Sequence, residues 1–224
     1  MNIYIYRFFT ILFSPFIDIY ILIRYLKGKE HKKRFKERFG YATVKRPAGK
    51  VVWFHAASVG EANSLFPVVK EFLNEYNQDK VTVLFTTGTI TSAETIAKKI
   101  DGINVIHQFI PIDKYFCVKR FLKYWNPDML LMVESEIWPN IVTMSHKIGC
   151  EVIIINAKMS ERSLRRWKSK PTLKEQIFSC IDLCFPQSLD DDRRFLELGV
   201  QHRNFLGNLK FDVPPLVAKE ETLK

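Results

Sequence analysis

The sequence predicts an α/β protein with a doubly wound parallel sheet. From Val51 onward, short apolar runs alternate with longer amphipathic runs, as expected for strands joined by crossover helices. The chain has 224 residues, of which 47% are hydrophobic, so it can bury a sizeable core. The predicted strands are Val51–His55, Val81–Thr86, Asn104–Phe109, Met129–Val133, Glu151–Ile155 and Asp182–Phe185. The predicted helices are Leu65–Tyr76, Thr91–Lys99, Tyr115–Tyr124, Pro139–Ile148, Leu164–Phe178 and Asp190–Leu198.

The first 26 residues are apolar and aromatic and predict a membrane-anchor helix. Their longest uncharged run, Phe8 to Ile17, is too short to span a bilayer cleanly. The central Asp18 would cost about 2.5–3.5 kcal/mol on insertion scales, and Pro15 is expected to kink the helix. An in-plane or shallow anchor is therefore favoured over a spanning helix, and both stay open.

A helical wheel places the polar side chains of this segment on one narrow stripe and apolar side chains elsewhere. The stripe consists of Arg7, Thr10, Ser14 and Asp18. The basic cluster follows the apolar region and no small-residue cleavage site ends it, unlike a secretory signal peptide. We therefore expect the segment to be retained.

The net charge of +10 is concentrated at the start of the chain. Residues 1–50 hold 12 Lys/Arg and 3 Asp/Glu, a net of +9, which leaves +1 for the remainder. A nucleic-acid groove would spread cations over the folded domain, so no nucleic-acid partner is predicted. A basic segment at 27–50 beside an apolar helix favours contact with anionic lipid head groups, and a solvated charged helix is the alternative.

The four cysteines lie at positions 117, 150, 180 and 184 and form no Cys-x-x-Cys pair. No histidine lies near them at a spacing suited to zinc, so neither a disulfide framework nor a metal site is predicted. We expect buried, reduced thiols in a cytoplasmic protein.

A strand, a tight polar loop and a helix are predicted around residues 55–61. Ser58 and Glu61 have the Ser-x-x-Glu spacing of a capping box, in which both side chains bind free N–H groups at a helix start. Ligands of open α/β sheets bind beyond the carboxyl ends of the strands, where this loop would lie. The spacing thus predicts a helix cap, and the position makes the same loop a site candidate.

Polar loops follow four of the predicted strands. In a doubly wound sheet they all open on one edge and form one surface. The loops are 58–61, 87–94, 134–140 and 156–163. They bring carboxylates, hydroxyls and one arginine together, which favours a binding site at the carboxyl edge.

Each loop also has a purely structural interpretation. Thr91 and Glu94 have capping-box spacing, Pro139 suits a first helical turn, and Ser160 can cap the following helix. Because helix starts present free N–H groups and Arg162 adds a fork-shaped donor, a phosphorylated ligand is plausible.

Several common sites are absent from the sequence. No Gly-x-Gly-x-x-Gly follows the first strand, and neither a phosphate-binding P-loop nor a Gly-x-Ser-x-Gly motif occurs. His55 ends an apolar strand and is expected to be a satisfied core or edge histidine. Trp138 is expected to pack in the protein rather than to form a sugar platform.

Five motifs in order resemble those of one family. They are His-Ala-Ala-Ser-Val-Gly-Glu at 55–61, Thr-Thr-Gly-Thr-Ile-Thr-Ser-Ala-Glu at 86–94, Glu-Ser-Glu-Ile-Trp-Pro-Asn at 134–140, Asn-Ala-Lys-Met-Ser-Glu-Arg-Ser at 156–163 and Gly-Asn-Leu-Lys-Phe-Asp at 207–212. The sequence resembles the bacterial 3-deoxy-D-manno-octulosonic acid (Kdo) transferases over about residues 1–214. Any one motif would be weak, but five in register are specific.

The resemblance implies a GT-B glycosyltransferase, in which two Rossmann-like domains face each other across a cleft. Such an enzyme moves Kdo from CMP-Kdo to the lipid A precursor, lipid IVA, with inversion and without a metal or cofactor. The resemblance makes Glu61 the general base. The residues expected to bind the acceptor are Ser58, Gly60, Thr87, Glu134, Glu136 and Arg162.

The resemblance also implies a domain plan and a location. The expected parts are a membrane-anchor helix at 1–26, a basic juxtamembrane segment at 27–50, an acceptor-binding domain at 51–211 and the start of a linker at 212–224. The expected location is the cytoplasmic face of the bacterial inner membrane.

In the family a donor domain that binds CMP-Kdo should follow the linker, whereas this sequence ends at Lys224. The sequence is therefore expected to be a fragment or a truncated gene product that binds acceptor weakly and transfers nothing alone. Two alternatives stay open. One is a non-catalytic remnant that binds a membrane surface or lipid, and the other is a GT-B transferase with a different acidic sugar donor.

Overall fold

A computed structural model describes residues 1–76 and 80–209. Within this part, six strands form one parallel sheet with the order β3-β2-β1-β4-β5-β6. This order is that of a Rossmann-type doubly wound sheet, so the predicted fold class is confirmed. The strands are β1 (Lys50–Ala56), β2 (Val81–Thr87), β3 (Val105–Phe109), β4 (Met129–Val133), β5 (Glu151–Ala157) and β6 (Leu183–Pro186).

Helices surround this sheet and connect its strands. They are α1 (Ile3–Leu12), α2 (Ser14–Leu26), α3 (Val59–Glu75), α4 (Ile90–Ala97), α5 (Tyr115–Trp125), α6 (Pro139–Lys147), α7 (Glu161–Lys168), α8 (Pro171–Phe178) and α9 (Leu189–Leu198). A short 3₁₀ helix spans Phe35–Phe39. The predicted linker at 212–224 lies outside the described residues.

The strands are apolar on both sides because helices cover both faces of the sheet. Alternate side chains of β1 show this directly. Trp53 packs in a cluster with Phe121 of α5 and Ile141 of α6, whereas the next residue, Phe54, packs in a second cluster with Leu65 of α3. The sheet therefore separates two hydrophobic cores, and its polar loops remain at the strand ends.

Two predicted helices of this domain differ from the observed ones by more than two residues. The helix after β1 begins at Val59 rather than at Leu65 and contains Pro67 within its length. The predicted helix Leu164–Phe178 is two helices, α7 and α8, that meet just before Pro171. A residue before proline is displaced from the helical region, and Lys170 accordingly has φ −129° and ψ 65°.

The predicted N-terminal helix is also divided, into α1 and α2, which are bent by 59° with respect to each other. Pro15 lies in the first turn of α2, where its missing N–H costs nothing, and it cannot continue α1. In the described residues, neither helix by itself is long and apolar enough for a membrane crossing; by length and composition alone, the bent pair together is.

The polar stripe of this segment faces the protein. Arg7 donates to Asn140 Oδ1 and Thr143 Oγ1 of α6, both at 3.1 Å. Asp18 forms an ion pair of 2.7 Å with Lys114. Most of the apolar side chains point outward, and large residues such as Phe8 remain more than half exposed, whereas Ile3 and Ile21 are buried.

The segment after α2 packs on the edge strand β3. Glu37 is fully buried and accepts hydrogen bonds from the Arg34 side chain at 2.8 and 2.9 Å and from the Phe109 N–H at 2.7 Å. Gly40 ends the 3₁₀ helix with φ +82°, and a Cβ there would lie 2.1 Å from the Cys117 carbonyl oxygen. Only glycine fits this turn, which covers an edge that would otherwise be open for pairing.

Candidate functional site at the carboxyl edge

The sheet topology brings the predicted loops together. Strand β1 lies between β2 and β4, with Ala56 opposite Thr87 and His55 opposite Met132. Strand β5 lies on the other side of β4. The loops after β1, β2, β4 and β5 are therefore neighbours at one edge of the sheet.

Ser58 and Glu61 form the predicted capping box at the start of α3. Ser58 is the N-cap, its hydroxyl accepts from the Glu61 N–H at 3.3 Å, and it donates to Glu61 Oε1 at 2.7 Å. Glu61 Oε2 accepts from the Ala57 N–H at 2.9 Å. Each carboxylate oxygen thus has one fixed partner and retains a lone pair for a ligand. The Glu61 carboxylate thus lies in the first turn of α3, at the positive end of the helix.

Two glycines shape this edge, one in the first turn of α3 and one in the loop after β2. Gly60 is exposed, and a Cβ at that position would meet no heavy atom of the described chain within 4 Å. Gly88, after β2, packs closely on the first loop, since a Cβ there would lie 3.2 Å from the Ala57 carbonyl oxygen. The surface above Gly60 is therefore open to a ligand. At Gly88, the absence of a side chain lets the loops after β1 and β2 pack against each other.

The loop after β4 holds the two other predicted acidic residues. Glu134 has a left-handed backbone conformation, with φ +58°, and its N–H donates to the Ile155 carbonyl at 3.1 Å. Glu136 Oε2 accepts from the Trp138 indole N–H at 2.8 Å. The Trp138 ring is 43% exposed, so the expectation that it packs in the protein is wrong.

Glu136 also approaches His55 of β1, with 3.9 Å between Oε2 and Nε2. Burial pushes the pKa of Glu136 up, but the contacts with His55 and Trp138 outweigh burial and hold the pKa below its usual value. His55 is buried, and its Nδ1 lies 2.9 Å from Thr86 Oγ1. Its Nε2 has no hydrogen-bond partner within the described chain, so only half of the ring is satisfied as expected.

Thr87 and Arg162 lie differently from the other predicted residues. The Thr87 side chain is buried and its hydroxyl lies 2.9 Å from His107 Nε2, so it supports β3 rather than facing the open edge. Burial, followed by Arg34 nearby, lowers the pKa of His107 to about 3. Arg162 is exposed in the first turn of α7.

The helix caps at this edge were predicted with mixed success. Ser160 is the N-cap of α7 and Pro139 lies in the first turn of α6, as predicted. The cap of α4 is Thr89, whose hydroxyl accepts from the Ser92 N–H at 3.1 Å, so the capping box predicted for Thr91 and Glu94 is wrong.

A cleft of about 210 Å³ lies between the β4–α6 loop and α7. It is lined by Ser135, Glu136, Ile137, Trp138, Ser163, Arg166 and Trp167. A carboxylate, a guanidinium group and two indole rings around a small cleft suit a ligand with hydroxyl and anionic groups. The sequence analysis missed Arg166 and Trp167, which only the packing of α7 against the loop brings to the site.

Asp113, another residue that the sequence analysis missed, stabilises the start of α6, directly after the β4–α6 loop. Its carboxylate accepts from the Asn140 and Ile141 N–H groups, at 3.1 and 2.9 Å, at the start of α6. It also accepts from the Tyr6 hydroxyl at 2.9 Å. Burial raises the pKa of Asp113 to about 6, against the lowering effect of these donors.

The edge presents two groups of side chains. Glu61 offers a carboxylate at the start of α3, and Glu136 and Arg166 line the cleft between the β4–α6 loop and α7. Among the described residues, no group of three or more His, Cys, Asp or Glu side chains could hold a metal ion.

The strand order and the polar carboxyl edge define a Rossmann-like domain of the GT-B type. Solved structures of this shape include UDP-GlcNAc 2-epimerase from Neisseria meningitidis bound to UDP-GlcNAc, with a TM-score of 0.50, 15% identity, and coverage of 73% of this chain and 48% of that one. Another is the S. aureus MnaA–UDP co-structure, with a TM-score of 0.54, 13% identity, and coverage of 78% and 50%. At these identities the likeness concerns the fold alone.

The chain belongs to the Kdo transferase family, because the family model described as 3-Deoxy-D-manno-octulosonic-acid transferase (kdotransferase) matches residues 33–213. A Rickettsia bellii 3-deoxy-D-manno-octulosonic acid transferase is 34% identical over 98% of this chain and 51% of its own length. A probable mitochondrial counterpart from Arabidopsis thaliana is 34% identical over 95% and 48%. The chain thus spans about half the length of these relatives, and the family resemblance inferred from the motifs is confirmed.

Proposed function

We propose that the chain is the acceptor-side half of a glycosyltransferase that moves Kdo from CMP-Kdo to the lipid A precursor, lipid IVA, in lipopolysaccharide biosynthesis. Family membership supports the reaction class. The observation that carries the proposal is the Glu61 carboxylate, fixed by Ser58 and Ala57 at the N-terminus of α3 on the open edge.

Glu61 is the general base of this proposal. The acceptor hydroxyl loses its proton to Glu61 while its oxygen attacks the anomeric carbon of Kdo, and the bond to CMP breaks on the opposite side. The displacement inverts that carbon and uses no metal ion or cofactor. A positioned base contributes about 10²- to 10⁴-fold to such a step.

The acceptor is a phosphorylated disaccharide lipid, and the edge offers groups for each of its parts. The N–H groups at the starts of α3 and α7 and the exposed Arg162 suit phosphate. Ser58, Glu134 and Glu136 suit sugar hydroxyls, and the open surface above Gly60 lets a sugar approach the backbone.

A transfer assay with CMP-Kdo and lipid IVA tests the mechanism, using the chain supplied with a donor half from a Kdo transferase. Glu61→Gln keeps the capping geometry, since glutamine also serves in capping boxes. We expect turnover to fall by about 10²- to 10⁴-fold with acceptor binding retained. Glu75→Gln, exposed at the opposite end of α3, is the matched control and should transfer normally. An unchanged rate for Glu61→Gln would remove Glu61 as the base.

The location proposed for the protein is the cytoplasmic face of the bacterial inner membrane. The outer surface of α1 and α2 supports it: Tyr4, Phe8 and Phe16 are 70%, 61% and 69% exposed. The lysines that follow α2 are exposed as well, whereas Arg24 and Arg34 are held in ion pairs with Glu30 and Glu37. Apolar rings next to free lysines match an anionic lipid surface.

Cosedimentation with vesicles that contain anionic lipid tests this location. The double variant Phe8→Glu, Phe16→Glu removes outward apolar area without touching the contacts of Arg7 and Asp18, so we expect binding to be lost. Leu196→Glu changes a residue that is 52% exposed on α9 and should bind as the wild type does. Binding of the wild type should weaken with salt. Full sedimentation of the double variant would contradict the anchor.

A further inference from the structure

A chain of buried polar groups runs from β1 through β2 and back to β1. It begins at the Trp53 indole, whose Nε1 lies 2.8 Å from Thr86 Oγ1 in the interior. An indole N–H can only donate, so the Thr86 oxygen accepts this bond. The hydrogen of the Thr86 hydroxyl is then available for another group.

The second link concerns the tautomer of His55. The Thr86 hydroxyl lies 2.9 Å from His55 Nδ1 and 3.4 Å from the Phe54 carbonyl oxygen. The shorter contact lies at the normal distance for an O–H donor, and the longer one does not. When Thr86 donates to Nδ1, the neutral ring carries its proton on Nε2.

The third link points out of the core. His55 Nε2 is buried and has no hydrogen-bond partner in the described part of the chain, which is costly for an N–H group. A Glu136 oxygen lies 3.9 Å away, too far for a hydrogen bond but within reach of a small side-chain rotation. Glu136 in turn lines the cleft between the β4–α6 loop and α7.

We propose that His55 is a positioning residue: the Trp53–Thr86 relay keeps its proton on Nε2, and this N–H holds the Glu136 carboxylate toward the cleft, where it accepts hydrogen bonds from hydroxyl groups of the acceptor sugar. The identity of the sugar rests on the proposed function. The relay and its direction rest on the hydrogen bonds alone.

The contacts around Glu136 explain why two hydrogen-bond donors are needed to orient its carboxylate. Trp138 holds Glu136 Oε2 from the exposed side and His55 approaches the same oxygen from the core. With both donors in place, Oε1 is left for the ligand. Without His55, only the exposed Trp138 indole orients the Glu136 carboxylate. Movement of the loop after β4 can then turn this carboxylate away from the cleft.

Nitrogen-15 NMR of histidine-labelled chain tests the relay. In the wild type we expect His55 to carry its proton on Nε2. Thr86→Val removes the donor to Nδ1, and the Thr86 carbonyl oxygen, 3.2 Å from Nδ1, remains as an acceptor. The proton should therefore move to Nδ1 in this variant. A wild-type ring with its proton on Nδ1 would overturn the relay, and circular dichroism of each variant checks that it is folded.

Equilibrium binding of radiolabelled lipid IVA in detergent micelles tests the role of the relay in recognition. His55→Phe removes the N–H at similar volume and should weaken binding by about tenfold, the usual effect of one hydrogen bond to a charged group. His55→Gln places an amide donor near the Nε2 position and should restore it. Equal binding by the two variants would reduce His55 to a packing residue.

Transfer kinetics, with a donor half supplied, separate this inference from the proposed function. We expect His55→Phe to raise KM for the acceptor by about tenfold and to change kcat little, because Glu61 is untouched. If no form transfers Kdo but binding still depends on the His55 N–H, the proposed reaction fails and the positioning role stands. If the wild type transfers Kdo while both His55 variants match it in KM, the positioning role fails alone.

Discussion

Asp113 offers the sharpest test of how the site is supported, because its charge is buried at the start of α6. Its carboxylate accepts from two backbone N–H groups and from the Tyr6 hydroxyl. Burial nevertheless raises its pKa from 3.8 to about 6. The folded protein therefore holds the Asp113 proton more tightly than the unfolded chain does.

The sign and size of the effect on stability follow from this difference. A raised carboxyl pKa contributes stability that is fully present below the unfolded pKa and is lost as pH rises through the folded pKa. The full contribution is about 3 kcal/mol, at 1.36 kcal/mol per pKa unit. At pH 4.5 about 2 kcal/mol of it remains, and near pH 7.5 it is gone.

Asp113→Asn removes this titration and leaves the rest of the protein unchanged. The amide also places an NH₂ group where backbone donors point, which costs about 1–3 kcal/mol at every pH. We therefore expect the variant to lose about 2 kcal/mol more, relative to wild type, at pH 4.5 than at pH 7.5.

Urea unfolding of both proteins at a series of pH values measures the difference directly. Other titrating groups, such as the buried His107, cancel because they are common to both forms. Parallel stability curves for wild type and Asp113→Asn between pH 4 and 7.5 would refute the raised pKa. A difference that grew toward high pH would reverse the sign of the argument.

Two further substitutions test the segment that covers β3. Gly40→Ala should lower the free energy of unfolding by well over the roughly 1–2 kcal/mol that a left-handed alanine costs, because its Cβ would overlap a carbonyl oxygen of α5. Gly102→Ala, with φ +76° and open space around the Cβ, is its matched control and should show only the conformational cost in the same urea titration. Glu37→Gln breaks an ion pair whose carboxylate is fully buried and should cost about 3–5 kcal/mol, whereas Glu161→Gln, at an exposed carboxylate, should cost less than about 1 kcal/mol. A Glu37→Gln protein that melted at the wild-type temperature would show that the segment is not packed on the sheet.

The strands could be predicted to within one or two residues because a parallel strand covered on both faces is a short continuous apolar run. Strand β4 was predicted with its observed bounds, Met129–Val133. The start of α3 was missed because Val59 to Ser64 is polar and precedes Pro67, so its periodicity is weak. Local sequence patterns therefore predicted the presence of each element more accurately than the residues at which it begins and ends.

The residues of the candidate site also fall into two groups: those that a local sequence pattern predicts and those that only long-range contacts bring together. The capping box of Ser58 and Glu61 was predictable because both partners lie within one turn of helix. The bond between Tyr6 and Asp113 joins residues 107 positions apart, and no local pattern marks it. His55 was correctly placed near the end of a buried strand, but its contact with Thr86 comes from another strand, and no local pattern marks it.

The same long-range bonds connect α1 to the site. Tyr6 binds Asp113 and Arg7 binds Asn140. Asn140 lies in the first turn of α6, the helix that directly follows the loop of Glu134 and Glu136. The outward apolar surface of α1 therefore has a fixed position relative to that loop. If this surface lies on the membrane, as proposed, the height of Glu136 above the lipid is set by the fold and not by a flexible tether. A lipid acceptor that keeps its acyl chains in the bilayer needs such a fixed height, since its sugar can reach the site only at one distance from the membrane.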